Sequence, residues 1–232
     1  MENSKNNCWF YRILIYSIGL VVLSIGITLN TKSGLGVSPI ISIPFSISSI
    51  FNLNFATMTF VVYTMFVIIQ FIIKGKNRQW IDILQIPFSL LFSVLINFFN
   101  GIFQFNYTTL WQNLLLLLVA IIVTSIGAAM TVNMKLVPNP ADGLAQAVGD
   151  LLNKGLGFGK NTIDLFSVAT TCGIGLLFTG NVVAIGLGTL IAMIGVGRCI
   201  ALFNFVFKKK MDEVSGLVNY EVEVEVEVAQ TN

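Results

Sequence analysis

Three charged residues lie within or beside long apolar segments of this chain, and their types could support chemistry: Asp142, Asp164 and Arg198. A charged side chain in a bilayer is costly, so it usually pairs with an opposite charge or marks a substrate or proton pathway. Asp164 and Arg198 are predicted near the same end of adjacent spans, so an ion pair between them is one alternative to a substrate or proton site. A further alternative places Arg198 at the interface, where its side chain reaches the headgroups.

Asp142 follows a capping residue and a proline, Asn139 and Pro140, and the pair Ser38 and Pro39 repeats this pattern 101 residues earlier. A Ser or Asn side chain can accept a hydrogen bond from the first turn of a helix, and proline at the first helical position sacrifices no bond. Both places are therefore predicted helix starts. Asp142 then fits either a variant of the capping box, favoured by the helix dipole, or a carboxylate that faces a cavity.

The N-termini of these two helices suggest a binding site, because a helix N-terminus carries about half a positive charge and free N–H donors. If both helices dip into the bilayer, their N-termini converge and favour an anionic or zwitterionic group. If they lie flat at the two surfaces, no such site forms. The candidate substrate-binding residues are Ser38, Pro39, Asn139, Pro140, Asp142, Asp164 and Arg198.

The sequence lacks the residues that several kinds of chemistry require. There is no histidine, and Cys8, Cys172 and Cys199 show no CxxC spacing. We therefore expect no zinc site, no disulfide framework and no Ser-His-Asp or Cys-His catalysis. The expectation is a protein that is not an enzyme, with no metal, no cofactor and no nucleic-acid partner.

The composition predicts an all-α integral membrane protein, because 55% of the 232 residues are hydrophobic and only 10% are charged. A soluble domain carries about 25% charged residues. Six segments have about the 20 apolar residues that a spanning helix needs: 11–29, 57–73, 83–103, 110–132, 162–178 and 182–207. Segments 39–51 and 140–152 are too short to span and are predicted to be re-entrant or interfacial helices.

Lysine and arginine placement predicts the orientation. With six spans, the N-terminus, the second and fourth loops and the C-terminus share one side. That side carries all but two of the 13 cations, since only Lys32 lies opposite and Arg198 falls inside the sixth segment. We expect a multi-pass protein of the bacterial inner membrane, with both termini cytoplasmic.

An internal repeat is the next observation. Ser24-Ile25-Gly26 recurs as Ser125-Ile126-Gly127, the same 101 residues later, although chance similarity of apolar stretches is the alternative. Two halves, about 11–105 and 110–207, would each contain three spans and a short helix. Because three is odd, the halves must be inverted, as in secondary transporters. Residues 1–210 then form one transmembrane domain. Residues 211–232, with alternating Glu and Val over 218–228, form a low-complexity acidic cytoplasmic tail that is predicted to be disordered.

Short Gly- and Pro-based motifs carry a resemblance to a known family: LGVSP at 35–39, PADGL at 140–144, LQIP at 84–87, GLGT at 186–189, and Asp164. Over residues 11–207 the chain resembles the YczE/YyaS/YitT group of bacterial membrane proteins. The longer YitT members carry a soluble C-terminal domain, whereas this chain has only its Glu-Val tail, so it is more similar to the YczE side. The resemblance implies a membrane location, and the biochemical role of the group is largely unassigned.

The inverted repeat and the charges within it favour a small secondary transporter or permease. A small anionic or zwitterionic molecule would bind between the halves, and the lipid bilayer is the surrounding partner. One rival function is a non-transporting protein that stabilises or regulates another membrane complex. Another is a membrane enzyme acting on lipid, for which only Asp142 and Asp164 could supply carboxylates. The substrate, the coupling ion and assembly into a homo-oligomer are left open.

Overall fold

The computed structural model describes residues 2–104 and 107–217, with side chains from Cys8 onward. Within these ranges the chain is helical and contains no strand. The eight α-helices are α1 Glu2–Lys32, α2 Pro39–Phe51, α3 Phe55–Lys74, α4 Gln85–Ile102, α5 Leu110–Asn133, α6 Pro140–Leu151, α7 Gly155–Thr179 and α8 Leu187–Val214. Two short 3₁₀ segments, Gly75–Asn77 and Trp80–Leu84, connect α3 to α4.

Six of these helices are long and apolar enough to cross a membrane: α1, α3, α4, α5, α7 and α8. Large apolar side chains are exposed on the outside, as at Leu177 and Phe205, which are 83% and 90% exposed. Such a surface is unstable in water and suits a lipid environment. The chain is a multi-pass integral membrane protein, and its six helices that could span the membrane agree in number with the six predicted spans.

Several of the predicted span boundaries were wrong, including those of the last two spans. The fifth span begins at Gly155 instead of residue 162, so it includes Lys160. The sixth begins at Leu187 instead of residue 182 and continues to Val214, past its predicted end at residue 207. An ion pair between Lys208 and Asp212, 2.7 Å apart and one turn away from each other, supports this extension. The alternating Glu-Val run at 218–228 lies outside the described residues.

Both short helices begin at the predicted prolines, Pro39 and Pro140. The Asn139 side chain caps α6 as predicted, because its carbonyl oxygen accepts the Ala141 N–H at 3.0 Å. The expected cap by Ser38 was wrong, since its hydroxyl bonds to no N–H of the first turn of α2. The Ser38 N–H instead donates to the Asn30 side chain at 3.1 Å, so a residue of α1 fixes this turn.

The short helices lie at the centre of the helix packing. Both α2 and α6 pack against α3 and against α7. Outside them, α1 packs along α5, α4 packs against α1 and α3, and α8 packs against α5. The spanning helices thus surround two helices that are too short to span, and this arrangement places the N-terminus of each short helix inside the protein.

Glycines allow α1 and α5 to approach closely, as small residues do between membrane helices. A Cβ added at Gly26 would overlap Thr124, and one added at Gly127 would overlap the backbone of Leu23. The two helices are antiparallel, since Arg12 near the start of α1 donates to the Met134 carbonyl at the end of α5 at 2.6 Å. Gly26 and Gly127 are 101 residues apart, and so are their contact partners Leu23 and Thr124. Each glycine therefore contacts the counterpart of the residue that the other glycine's helix provides at the same place in the repeat.

Gly127→Ala should destabilise the protein, because its new methyl group overlaps backbone atoms that cannot rotate away. Overpacking of this kind costs about 1–3 kcal/mol. The thermal midpoint of the detergent-solubilised protein should fall. Gly173→Ala on α7 is the control, since its added Cβ would have no heavy atom of the described residues within 4 Å apart from the adjacent backbone of its own helix. Equal midpoints for the two variants would contradict the close approach.

Candidate functional site

A cavity of about 210 Å³, here called the central cavity, is lined by residues at the N-termini of both α2 and α6. From α2 it is lined by Ser38 and Pro39, and from α6 by Asn139 and Asp142. Asp164 of α7 completes the set. Five of the seven predicted site residues therefore line a single cavity, although they come from three helices and two distant stretches of sequence.

Pro140 and Arg198 are the two exceptions. Pro140 is buried and lines a small adjoining space instead. Arg198 is exposed on α8 and lines neither this cavity nor the larger one described below. The preceding residue, Gly197, does line the central cavity. Successive residues of an α-helix are rotated by about 100° about its axis, so the Arg198 side chain points in a different direction. Among the described residues no ion pair joins Arg198 to Asp164, so that predicted alternative was wrong.

Asp142 forms an ion pair with Lys160 across the packed helices α6 and α7. The Lys160 Nζ atom lies 2.9 Å from the Asp142 Oδ1 atom. Of the two alternatives for Asp142, the structure therefore favours the carboxylate that faces a cavity, while Asn139 provides the cap. Asp142 also lies in the first turn of α6, where the helix dipole favours negative charge.

Lys160 is the charged cavity residue that sequence analysis missed, since it was counted only as a loop cation. It precedes Asp164 by one helical turn and interacts electrostatically with both carboxylates. We call Asp142, Lys160 and Asp164 the charged trio. With all three ionised, its net charge is −1. The four-residue spacing of Lys160 and Asp164 was the available signal, because residues four apart are neighbours on a helix.

A second cavity of about 520 Å³, here called the lysine-side cavity, adjoins the central cavity. Its lining includes Lys74 at the end of α3, Lys135 after α5, and Lys160. Asp142 and Lys160 line both cavities, so their ion pair stands between the two. The Asp142 and Lys160 side chains are 27% and 40% exposed, so the pair can be reached from these spaces.

Two fully buried glutamines, Gln70 and Gln85, lie close to Gly143, the residue that follows Asp142, and sequence analysis assigned no role to Gln70. A Cβ added at Gly143 would lie 2.5 Å from the Gln70 Oε1 atom and 3.0 Å from the Gln85 Oε1 atom. The glycine that follows Asp142 therefore allows α6 to approach both side chains. Gln85, which belongs to the LQIP motif, donates to Asp82 at 3.4 Å. No hydrogen-bond partner for the Gln70 amide is found in the described part of the chain.

Fold and site together define a polytopic α-helical membrane protein with a charged internal cavity. Residues 10–205 match the model of a family of unknown function, DUF6198, and the chain belongs to that family. It is also 24% identical to the uncharacterized protein YyaS of Bacillus subtilis (strain 168) over 203 residues, which cover 83% of this chain and 92% of that protein. The predicted resemblance to the YyaS group is confirmed, and the nearer relation to its YczE side stays a prediction. No solved structure matches the chain.

A double-mutant cycle on Asp142→Asn and Lys160→Gln should give a coupling energy above about 1 kcal/mol, the upper end for exposed pairs. The reason is that loss of Lys160 leaves two neighbouring carboxylates without a cation. The free energy of unfolding would be measured by denaturant titration in mixed micelles.

The matched control cycle uses Lys208→Gln and Asp212→Asn, a pair one turn apart on α8 with a 2.7 Å separation. Pairs of this kind contribute about 0.2–0.5 kcal/mol. If both cycles gave the same small coupling energy, the Asp142–Lys160 pair would have no special structural role.

Proposed function

We propose that this protein is a small secondary transporter whose substrate binds in the central cavity. The observation that carries the proposal is that the N-termini of α2 and α6 line the same cavity as the charged trio. Free N–H groups at helix N-termini favour a negative group, and the Lys160 ammonium adds to this preference. The Asp164 carboxylate favours a positive group. A small anion or zwitterion fits these charges.

The cavity volume limits the size of the substrate. Pockets for drug-sized ligands have volumes of about 300–1,000 Å³, whereas the central cavity measures about 210 Å³. We therefore infer a metabolite-sized substrate. The lysine-side cavity would be its route to or from the side that the positive charges predict to be cytoplasmic. We assign no catalysis to the site.

The helix packing supports a pair of inverted halves. In such a pair of halves, α1, α2, α3 and α4 correspond to α5, α6, α7 and α8. The contact of α2 with α7 then corresponds to the contact of α6 with α3, and both contacts are present. In the same way, the packing of α4 against α1 corresponds to that of α8 against α5. The reciprocal contacts at Gly26 and Gly127 fit the same exchange. Transporters with inverted halves work by alternating access, in which one half rocks against the other around a central site.

Inversion of the halves predicts that Lys32 and Lys154 lie on opposite sides of the membrane. Single cysteines introduced as Lys32→Cys and Lys154→Cys, in a chain without its native cysteines, should react differently with a membrane-impermeant thiol reagent in intact cells. Only Lys32→Cys should be labelled, because its side is predicted to be extracytoplasmic. Labelling of both cysteines from the same side would contradict the inverted arrangement and therefore the alternating-access mechanism.

Full-length protein in proteoliposomes should take up at least one compound from a panel of radiolabelled amino acids and small carboxylates. Asp142→Asn weakens the ion pair that holds Lys160, and Asp164→Asn removes the carboxylate that favours a positive group of the substrate. Each variant should therefore lower that uptake by about tenfold, which corresponds to a loss of about 1.4 kcal/mol of binding free energy. Asp150→Asn is the control on the same helix as Asp142. Asp150 is exposed, and its carboxylate accepts a bond from Gln146 at 3.2 Å. Uptake that survives in both site variants would contradict the proposed site.

A further inference from the structure

Asp164 differs from the other acidic residue of the trio in having no direct partner. It is 7% exposed, lies on the spanning helix α7 and lines the central cavity. Lys160 forms its 2.9 Å contact with Asp142 instead. Among the residues that the structure describes, none donates a hydrogen bond to the Asp164 carboxylate. An ionised carboxylate in such a place carries a large desolvation cost unless something neutralises it.

The groups that face Asp164 do not neutralise it. From α6 comes the carboxylate of Asp142, from α3 the phenol of Tyr63, and from its own helix the ammonium of Lys160. Helix α2, which packs against α7, contains no titratable residue. The part of α8 that lines the cavity is apolar, at Ala192, Met193, Val196, Gly197 and Ile200. A single cation therefore serves two carboxylates, and the cavity retains one excess negative charge.

A proton is the occupant that fits this excess charge best. A metal cation would need several oxygen ligands, of the kind that unwound carbonyl ends of helices supply in transporters. Here the helix ends at the cavity are N-termini, which present N–H donors, and the Lys160 ammonium would repel a second cation. A proton needs one carboxylate oxygen and no further ligand.

We propose that Asp164 is a reversible proton-binding site of the central cavity. A proton from cavity water bonds to one oxygen of the Asp164 carboxylate, and the net charge of the trio changes from −1 to 0. When the proton returns to water, the carboxylate and its charge are restored. No bond other than this O–H bond forms or breaks.

The consequence for transport rests on the proposed function. With Asp164 ionised, the trio repels an anion that approaches the two helix N-termini. With Asp164 protonated, the repulsion is removed, and Lys160 and the N–H donors remain to bind the anion. Proton and anion then favour each other's binding, and by linkage the effect is equal in both directions. The substrate class is therefore a small anion or zwitterion that moves together with a proton.

The proton site can be tested without a substrate. Infrared difference spectra of the full-length protein in liposomes would compare a buffer at roughly pH 6, where ordinary exposed aspartates and glutamates are both almost fully ionised, with an alkaline buffer. We expect a carboxylic-acid C=O band that disappears in alkali. The band should be absent from Asp164→Asn and unchanged in Asp150→Asn. Persistence of the band in Asp164→Asn, or its absence from the unmodified protein, would overturn the proposal.

A second variant guards against misfolding of Asp164→Asn. Asp164→Glu keeps a titratable carboxyl group, so it should restore a band at a slightly shifted frequency, and an unshifted band would again overturn the assignment. The outcomes separate the two proposals. Uptake without an Asp164-dependent band would support the transporter proposal and overturn the proton-site proposal. An Asp164-dependent band without uptake of any compound would support the proton-site proposal and contradict the transporter proposal.

Discussion

The ion pair between Asp142 and Lys160 is the interaction on which the interior of this protein depends. Charged groups are tolerated within a bilayer only where the protein itself surrounds and pairs them. Here a helix of 12 residues, too short to span, contributes the carboxylate, and a spanning helix contributes the ammonium at 2.9 Å. The pair ties α6 to α7, separates the two cavities and leaves Asp164 as the one carboxylate of the trio without a direct partner.

Close backbone contacts explain how the short helix α2 can start inside the protein. The turn before α2 bonds to the turn before α8, since the Val37 N–H donates to the Ala184 carbonyl at 2.9 Å and the Gly188 N–H to the Leu35 carbonyl at 2.7 Å. Gly36 has φ +100, and its Cβ would lie 2.5 Å from the Gly186 nitrogen. The glycines of the GLGT motif thus allow a turn to dock, and these bonds satisfy backbone groups that lipid could not.

The sequence allowed most of the fold to be predicted, because apolar length and proline-led turns are local signals. The start of α2 at Pro39 and of α6 at Pro140, and the six spans, follow from such signals. The predicted helix boundaries were less accurate where a charged residue lies inside a helix. The fifth span was expected to begin after Lys160, because a lysine counts against an apolar segment. The ion pair with Asp142 offsets that cost, and a contact between residues 18 positions apart is not visible in a hydropathy pattern.

Amino-acid types and their spacing determined by themselves that this chain crosses the membrane repeatedly, that two turns start short helices, and that Asp142 and Asp164 are its unusual charges. Local hydrogen-bonding rules and the cost of charge in lipid are sufficient for those conclusions. Only the tertiary structure decided that Lys160 belongs with the two carboxylates, that Arg198 does not, and that both N-termini line one cavity. These facts depend on the rotation of α7 and α8 about their axes, which is set by packing against neighbouring helices and not by any local pattern.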